Sequence, residues 1–242
     1  MRFLTLLLVI LSIEATAQAP RLMVPIGHTN SITSCVFSKD GKFIVTGGED
    51  KTVKIWDANT GKLLQNFTTP KDKIMSVDFN PNNKTVIACS EDGVLYEWNI
   101  YSGELLNSVL NIDERMSVCA FSPNGKMIAI GYNYHYKNYC DIVLYNNETK
   151  KILKQFKAHT EKIHKLIFSA DGKFIVSSAY DKMIKIWDAT NGQIISEKDV
   201  STPEDLFIKS IAYNKEGNKL LVCNADTKLT LYDAQSLKQL QT

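Results

Sequence analysis

Short apolar runs alternate with turn residues along the chain from residue 21 onward. The first unit reads SITSCVFS, turn, KFIVTGG, turn, TVKIWD, turn, KLLQNF, four runs rich in Ile, Val, Phe and Thr. Runs this short, separated by Gly, Asp and Asn, predict antiparallel strands joined as a meander and do not suit helices.

The unit recurs five times. An aromatic followed by a polar residue opens each copy: Phe37-Ser38, Phe79-Asn80, Phe121-Ser122, Phe168-Ser169 and Tyr213-Asn214. A turn follows (SKDGK, NPNNK, SPNGK, SADGK, NKEGN), and each copy reaches a second pair: Trp56-Asp57, Trp98-Asn99, Tyr145-Asn146, Trp187-Asp188 and Tyr232-Asp233. First aromatic to second is 19 residues in four copies and 24 in the third. Such periodicity marks a repeat architecture, each copy being one supersecondary unit that buries its faces against its neighbours.

Four strands per unit, repeating every 42 to 47 residues, resemble the WD-repeat family across residues 21 to 242. Gly27-His28, Thr46, Asp50 and Trp56 are similar to that family's structural hydrogen-bond tetrad. The fourth unit repeats it with His159, Ser177, Asp181 and Trp187. The other units depart from it. The second keeps Asp92 and Trp98 but has Ala88 at the hydroxyl position and lacks the His; the third has Tyr139 in place of the Asp. The fifth keeps Asp226 but carries Val222 and Tyr232. The resemblance implies an all-β fold, a β-propeller of four-stranded antiparallel blades. The expected blades are approximately 30–67, 73–110, 116–156, 162–198 and 207–241 within a propeller domain at 18–242.

The chemistry of such a tetrad is structural. A buried Trp N–H needs an acceptor, a Ser or Thr hydroxyl supplies it, and a His bridging hydroxyl and Asp satisfies the rest. The same residue types could be read as a catalytic triad. Thr46 and Ser177 fall within strands and the set recurs in two units, whereas a nucleophile is exposed and unique to its site.

Closure poses a problem. Five units give twenty strands, and Arg21 to Ile26 reads as one more. In the family such a strand completes a final blade, and a seven-bladed ring needs roughly 300 residues at about 43 per blade. The expectation is an incomplete propeller with two open blade faces, possible self-association through those edges, and continuation of the chain in a longer protein.

The N-terminus carries a different signal. Arg2, the apolar run Phe3 to Ile13 and Ala15-Thr16-Ala17 have the layout of a signal peptide, 1–17, followed by export to a periplasmic or extracellular space. Eleven apolar residues are too few to span a bilayer as a helix, so no membrane span is expected.

Charge removes further partner classes. Of 242 residues, 28 are Lys or Arg and 26 Asp or Glu, a net charge of +2 that gives no reason to expect nucleic acid. Five Cys are an odd number for disulfides. Cys35 and Cys119 stand where other units carry Val77, Leu166 and Ile211, and Cys89 and Cys223 share a second matched position, so these four read as free core thiols. Cys140 is the least constrained. His164 on a strand and His135 in an insertion complete no ligand cluster, so neither metal nor cofactor is expected.

Function must then come from surfaces. The family resemblance implies a non-enzymatic protein-binding platform or scaffold, the rivals being an accessory propeller of a longer enzyme or a small-ligand binder. The extra residues of the third unit, Tyr132 to Tyr139, supply Tyr134, His135, Tyr136 and Tyr139 as candidate partner contacts, since Tyr offers large contact area at little entropy cost. Alternation suggests that Tyr132 and Tyr136 could instead pack on their own blade. Glu49, Glu91 and Tyr180, each just before a tetrad-type Asp, would form the polar rim of a protein or peptide site on that loop face.

Overall fold

The computed structural model describes residues 27–110, 115–133, 137–201, 207–224 and 229–241. The signal-peptide segment, the strand expected at 21–26, Asp226, and Tyr134, His135 and Tyr136 lie outside the described residues. Regular structure in the described residues is all strand. Blade 1 is β1 (Ile32–Phe37), β2 (Phe43–Gly48), β3 (Val53–Asp57) and β4 (Leu63–Phe67). Blade 2 is β5 (Ile74–Phe79), β6 (Thr85–Ser90), β7 (Val94–Asn99) and β8 (Leu105–Leu110). Blade 3 is β9 (Arg115–Phe121), β10 (Met127–Asn133), β11 (Cys140–Asn146) and β12 (Lys151–His159). Blade 4 is β13 (Ile163–Phe168), β14 (Phe174–Ala179), β15 (Met183–Asp188) and β16 (Ile194–Asp199). Blade 5 is β17 (Ile208–Tyr213), β18 (Lys219–Asn224), β19 (Leu229–Asp233) and β20 (Gln239–Gln241).

Each blade pairs its strands antiparallel in chain order. The turn sequences explain the hairpins. Ser38 Oγ donates to Asp40 and accepts from the Phe43 amide, Asp40 accepts from the Lys42 amide, and Gly41 takes a φ of +70°. Ser169, Asp171 and Phe174 repeat the pattern in blade 4. The Asp of the aromatic-Asp pair closes the next turn: Asp57 accepts from the Asn59 and Thr60 amides, as Asp188 does from Thr190 and Asn191.

The inner strands β1, β5, β9, β13 and β17 pack in succession, so the sheets form a five-bladed propeller. Its core lies between blades. Val45, Ile55 and Phe67 of blade 1 meet Ile74, Val77 and Trp98 of blade 2, where Phe67 stacks on Trp98 at 4.9 Å. Ile87 and Cys89 meet Met116 and Ile128 in the next interface, Ile142 and Ala158 meet Ile163 and Trp187 in the third, and Val176 and Ile186 meet Ile208 and Leu220 in the fourth. The approach is close enough at Gly47 that a Cβ there would overlap the Ile74 side chain.

The two outward blade faces are open. Phe37 is 63% exposed although Phe79 and Phe121, in the same column, are 5% and 6% exposed. At the other end Leu229 is 52% exposed, whereas Val53 and Leu95 at its position are 0% and 3%. This corrects one sequence reading. Cys35 is exposed, not in the core, because among the described residues no other blade covers the face its column lies on. Cys89, Cys119 and Cys140 are buried, Cys223 is partly so, and all five are free thiols.

Candidate functional site

Antiparallel hairpins bring the start of each first strand and the turn between the second and third strands to one end of a blade. On that end, in blade 1, His28 Nδ1 lies 2.9 Å from Asp50 and Nε2 lies 2.7 Å from Thr46 Oγ1. Trp56 Nε1 donates to the same hydroxyl at 2.8 Å. Blade 4 repeats the set, with His159 Nδ1 2.9 Å from Asp181, Nε2 2.7 Å from Ser177 Oγ, and Trp187 Nε1 donating to Ser177 at 2.8 Å. A proton on Nδ1 satisfies every group: it goes to the carboxylate, Nε2 accepts from the hydroxyl, and the hydroxyl oxygen accepts from indole. Asp50 and Asp181 also accept from the amides of Thr29 and Thr160, which ties two loops together in each blade.

The electrostatics agree. Burial pushes the Asp50 carboxyl up, but hydrogen bonds from His28, the Thr29 amide and Thr52 outweigh it and hold it at about 2. Asp181 is likewise lowered: burial opposes, and His159 with the Thr160 and Met183 amides prevails. Burial lowers His159 against the pull of Asp181, so the imidazole is neutral at pH 7. Ser177 resembles a triad nucleophile only in composition. It is fully buried and its oxygen is already engaged by Trp187.

Blade 2 lacks the network, with consequences. Trp98 Nε1 is buried without a protein acceptor among the described residues. Asp92 still fastens the turn, accepting from the Lys71 amide at 3.1 Å and from the Tyr96 hydroxyl at 2.9 Å.

The rim residues meet their neighbours differently. Glu49 is 3.6 Å from Lys73 of the next blade, and Glu91 is half-buried. Tyr180 lies at Glu49's position in blade 4 and packs against Phe207 of blade 5 at 4.7 Å and His164 at 5.6 Å. Tyr139 is half-buried with Lys157 Nζ 4.1 Å above its ring, and Tyr132 is buried in its blade.

Two charged groups, Glu97 buried and Asp78 half-buried, escaped sequence reading. Glu97 stands where Ile55 and Ile186 occupy the other blades, and Lys150 of blade 3 reaches it at 2.7 Å. Asp78 stands in an otherwise apolar column and accepts from the amides of Phe79 and, across the blade interface, Phe121 at 2.7 Å. Burial pushes its carboxyl up to about 6. A charged residue breaking an aliphatic column was the signal for both.

The family model described as "WD domain, G-beta repeat" matches residues 20–57, 61–99 and 150–188. Three of its five blades match the WD repeat. The matched stretches are those that contain Trp56, Trp98 and Trp187, while the units with Tyr145 and Tyr232 diverge from the family pattern. Among curated relatives, the chain is 25% identical over 217 residues to a Periodic tryptophan protein 2 homolog of Dictyostelium discoideum, 88% of this chain and 23% of that protein. It is 42% identical over 55 residues to the Target of rapamycin complex subunit wat1 of Schizosaccharomyces pombe, 23% of this chain and 17% of that one. Ribosome biogenesis protein YTM1 of Laccaria bicolor is 31% identical over 88 residues, 36% of this chain and 19% of its own. The WD-repeat chain thus spans less than a quarter of the length of each of these relatives.

Proposed function

We propose that this chain is a non-enzymatic platform that binds a protein or peptide on the loop end of its blades. The observation that carries the reading is the pair of buried His-hydroxyl-Asp-Trp networks, which fix that end rigidly in blades 1 and 4 and use up their own reactive groups in doing so. A preorganised rim binds at lower entropic cost. Similarity to proteins named as a complex subunit and a ribosome biogenesis factor supports the same reading. Glu49, Glu91, Tyr180 and Tyr139 form the rim in this proposal; Tyr134, His135 and Tyr136 enter it on sequence alone. The exposed end faces add self-association, and the 1–17 segment adds export, which N-terminal sequencing of the secreted chain would test.

Affinity capture tests the platform. Glu91→Ala combined with Tyr134→Ser, His135→Ser and Tyr136→Ser, in a chain whose fold is checked by circular dichroism, should lose the captured partner. Undiminished capture by that folded variant removes these residues from the interface.

A further inference from the structure

Strands from all five blades wall one central cavity of about 410 Å³. Three of its lining side chains are cationic, Lys162 and Lys165 of blade 4 and Lys209 of blade 5, and among the described residues its lining includes no Asp or Glu. Among the described residues none of the three lysines forms a salt bridge. Lys162 and Lys165 are half-buried, a costly place to hold an ammonium without a salt bridge. Their convergence is visible on His164, which also lines the cavity. Burial lowers its pKa, its bond to the Lys209 carbonyl opposes, and the charges of all three lysines add to the lowering. Asp78, which lines an adjoining cavity together with Lys165 and interacts with it electrostatically, is half-buried and already accepts from two backbone amides.

We infer that this cavity binds a small phosphate-bearing anion. Three ammoniums call for two to three negative charges, which a phosphate monoester or pyrophosphate carries near neutral pH. Donors approach from different walls: lysines from blades 4 and 5, the Ser210 hydroxyl from blade 5, and the Ser34 hydroxyl from blade 1. Ser34 Oγ accepts the Val77 amide, which leaves its own proton to donate. A tetrahedral oxyanion takes hydrogen bonds from several directions at once, whereas a carboxylate offers its lone pairs in one plane. Thr33, Ser76 and Ser117 are not part of the donor set, because their hydroxyls already donate to backbone carbonyls. The site lies inside the ring and does not depend on the platform reading of the outer loops.

Isothermal titration of the full chain with sodium pyrophosphate tests it, with citrate as a polycarboxylate arm. Pyrophosphate should bind once per chain with a Kd below about 1 mM, weakening as salt is raised. Lys165→Gln with Lys209→Gln should weaken binding at least about tenfold at an unchanged unfolding midpoint. Lys42→Gln with Lys173→Gln, on turns at the opposite end, should leave it unchanged. Absence of saturable pyrophosphate binding to the wild-type chain overturns the proposal. So does citrate binding as tightly, or the Lys165/Lys209 variant binding like wild type.

Discussion

Ala88 occupies the strand position from which Thr46 and Ser177 accept an indole proton, and the N–H of Trp98, 1% exposed, is left without a protein acceptor among the described residues. A buried donor without a partner costs about 1–3 kcal/mol, so removing it recovers part of what the ring's lost contacts cost. Trp98→Phe should therefore destabilise less than Trp187→Phe, by about 1–2 kcal/mol in denaturant unfolding. Equal losses would mean that the Trp187 bond to Ser177 contributes nothing.

His159 joins Ser177 to Asp181, and its removal leaves the buried Ser177 hydroxyl proton without its acceptor and Asp181 with only its backbone-amide donors. His159→Ala should cost about 1–3 kcal/mol and leave partner capture intact at temperatures where the variant is folded. A wild-type unfolding midpoint together with lost capture would turn the residue from scaffold into contact.

Glu97 is buried between blades 2 and 3 with Lys150 as its counter-charge. Lys150→Met strands the carboxylate and should cost about 3 kcal/mol, whereas Glu97→Met with Lys150→Met replaces the pair by apolar side chains and should recover most of it. A double variant no better than the single would show that the pair is not coupled.

Acid should dismantle the networks in a defined window. Asp50 is held at about 2 against an ordinary 3.8, and Asp181 is also lowered. A carboxyl with a depressed folded value stabilises fully above its unfolded value and loses that contribution as pH falls through the folded one. Asp78, raised to about 6, works in the opposite sense between 6 and 3.8 and is protonated in both states below that. Urea midpoints measured from about pH 4 down to about pH 2 should fall steeply in wild type and less in Asp50→Asn with Asp181→Asn. A flat wild-type profile contradicts the hydrogen-bond assignment.

The end faces carry exposed Ile32 and Phe37 on blade 1 and Leu221 and Leu229 on blade 5. Exposed apolar surface of this kind drives association. Light scattering on the chain from residue 18 onward should report self-association that Phe37→Ser with Leu229→Ser suppresses without lowering the unfolding midpoint. A monodisperse wild-type monomer melting above about 70 °C would refute this, since ordinary domains melt near 45–65 °C.

The sequence by itself determined the blades. Strand length, turn chemistry such as Ser38-Asp40-Gly41, and the column of aromatics are local, because a hairpin is specified by residues that touch each other along the chain. The tetrads were legible for a related reason: His28, Thr46, Asp50 and Trp56 fall within one repeat length and recur at His159. What tertiary structure decided lies between blades. Whether Cys35 is core or surface depends on a preceding blade being there to cover it, which no local pattern records. Glu97 finds Lys150 fifty-three residues away, and Lys162, Lys165 and Lys209 converge only because successive inner strands turn about one centre. Burial and charge pairing at those positions are properties of packed neighbours, so they are settled only when the ring of sheets forms.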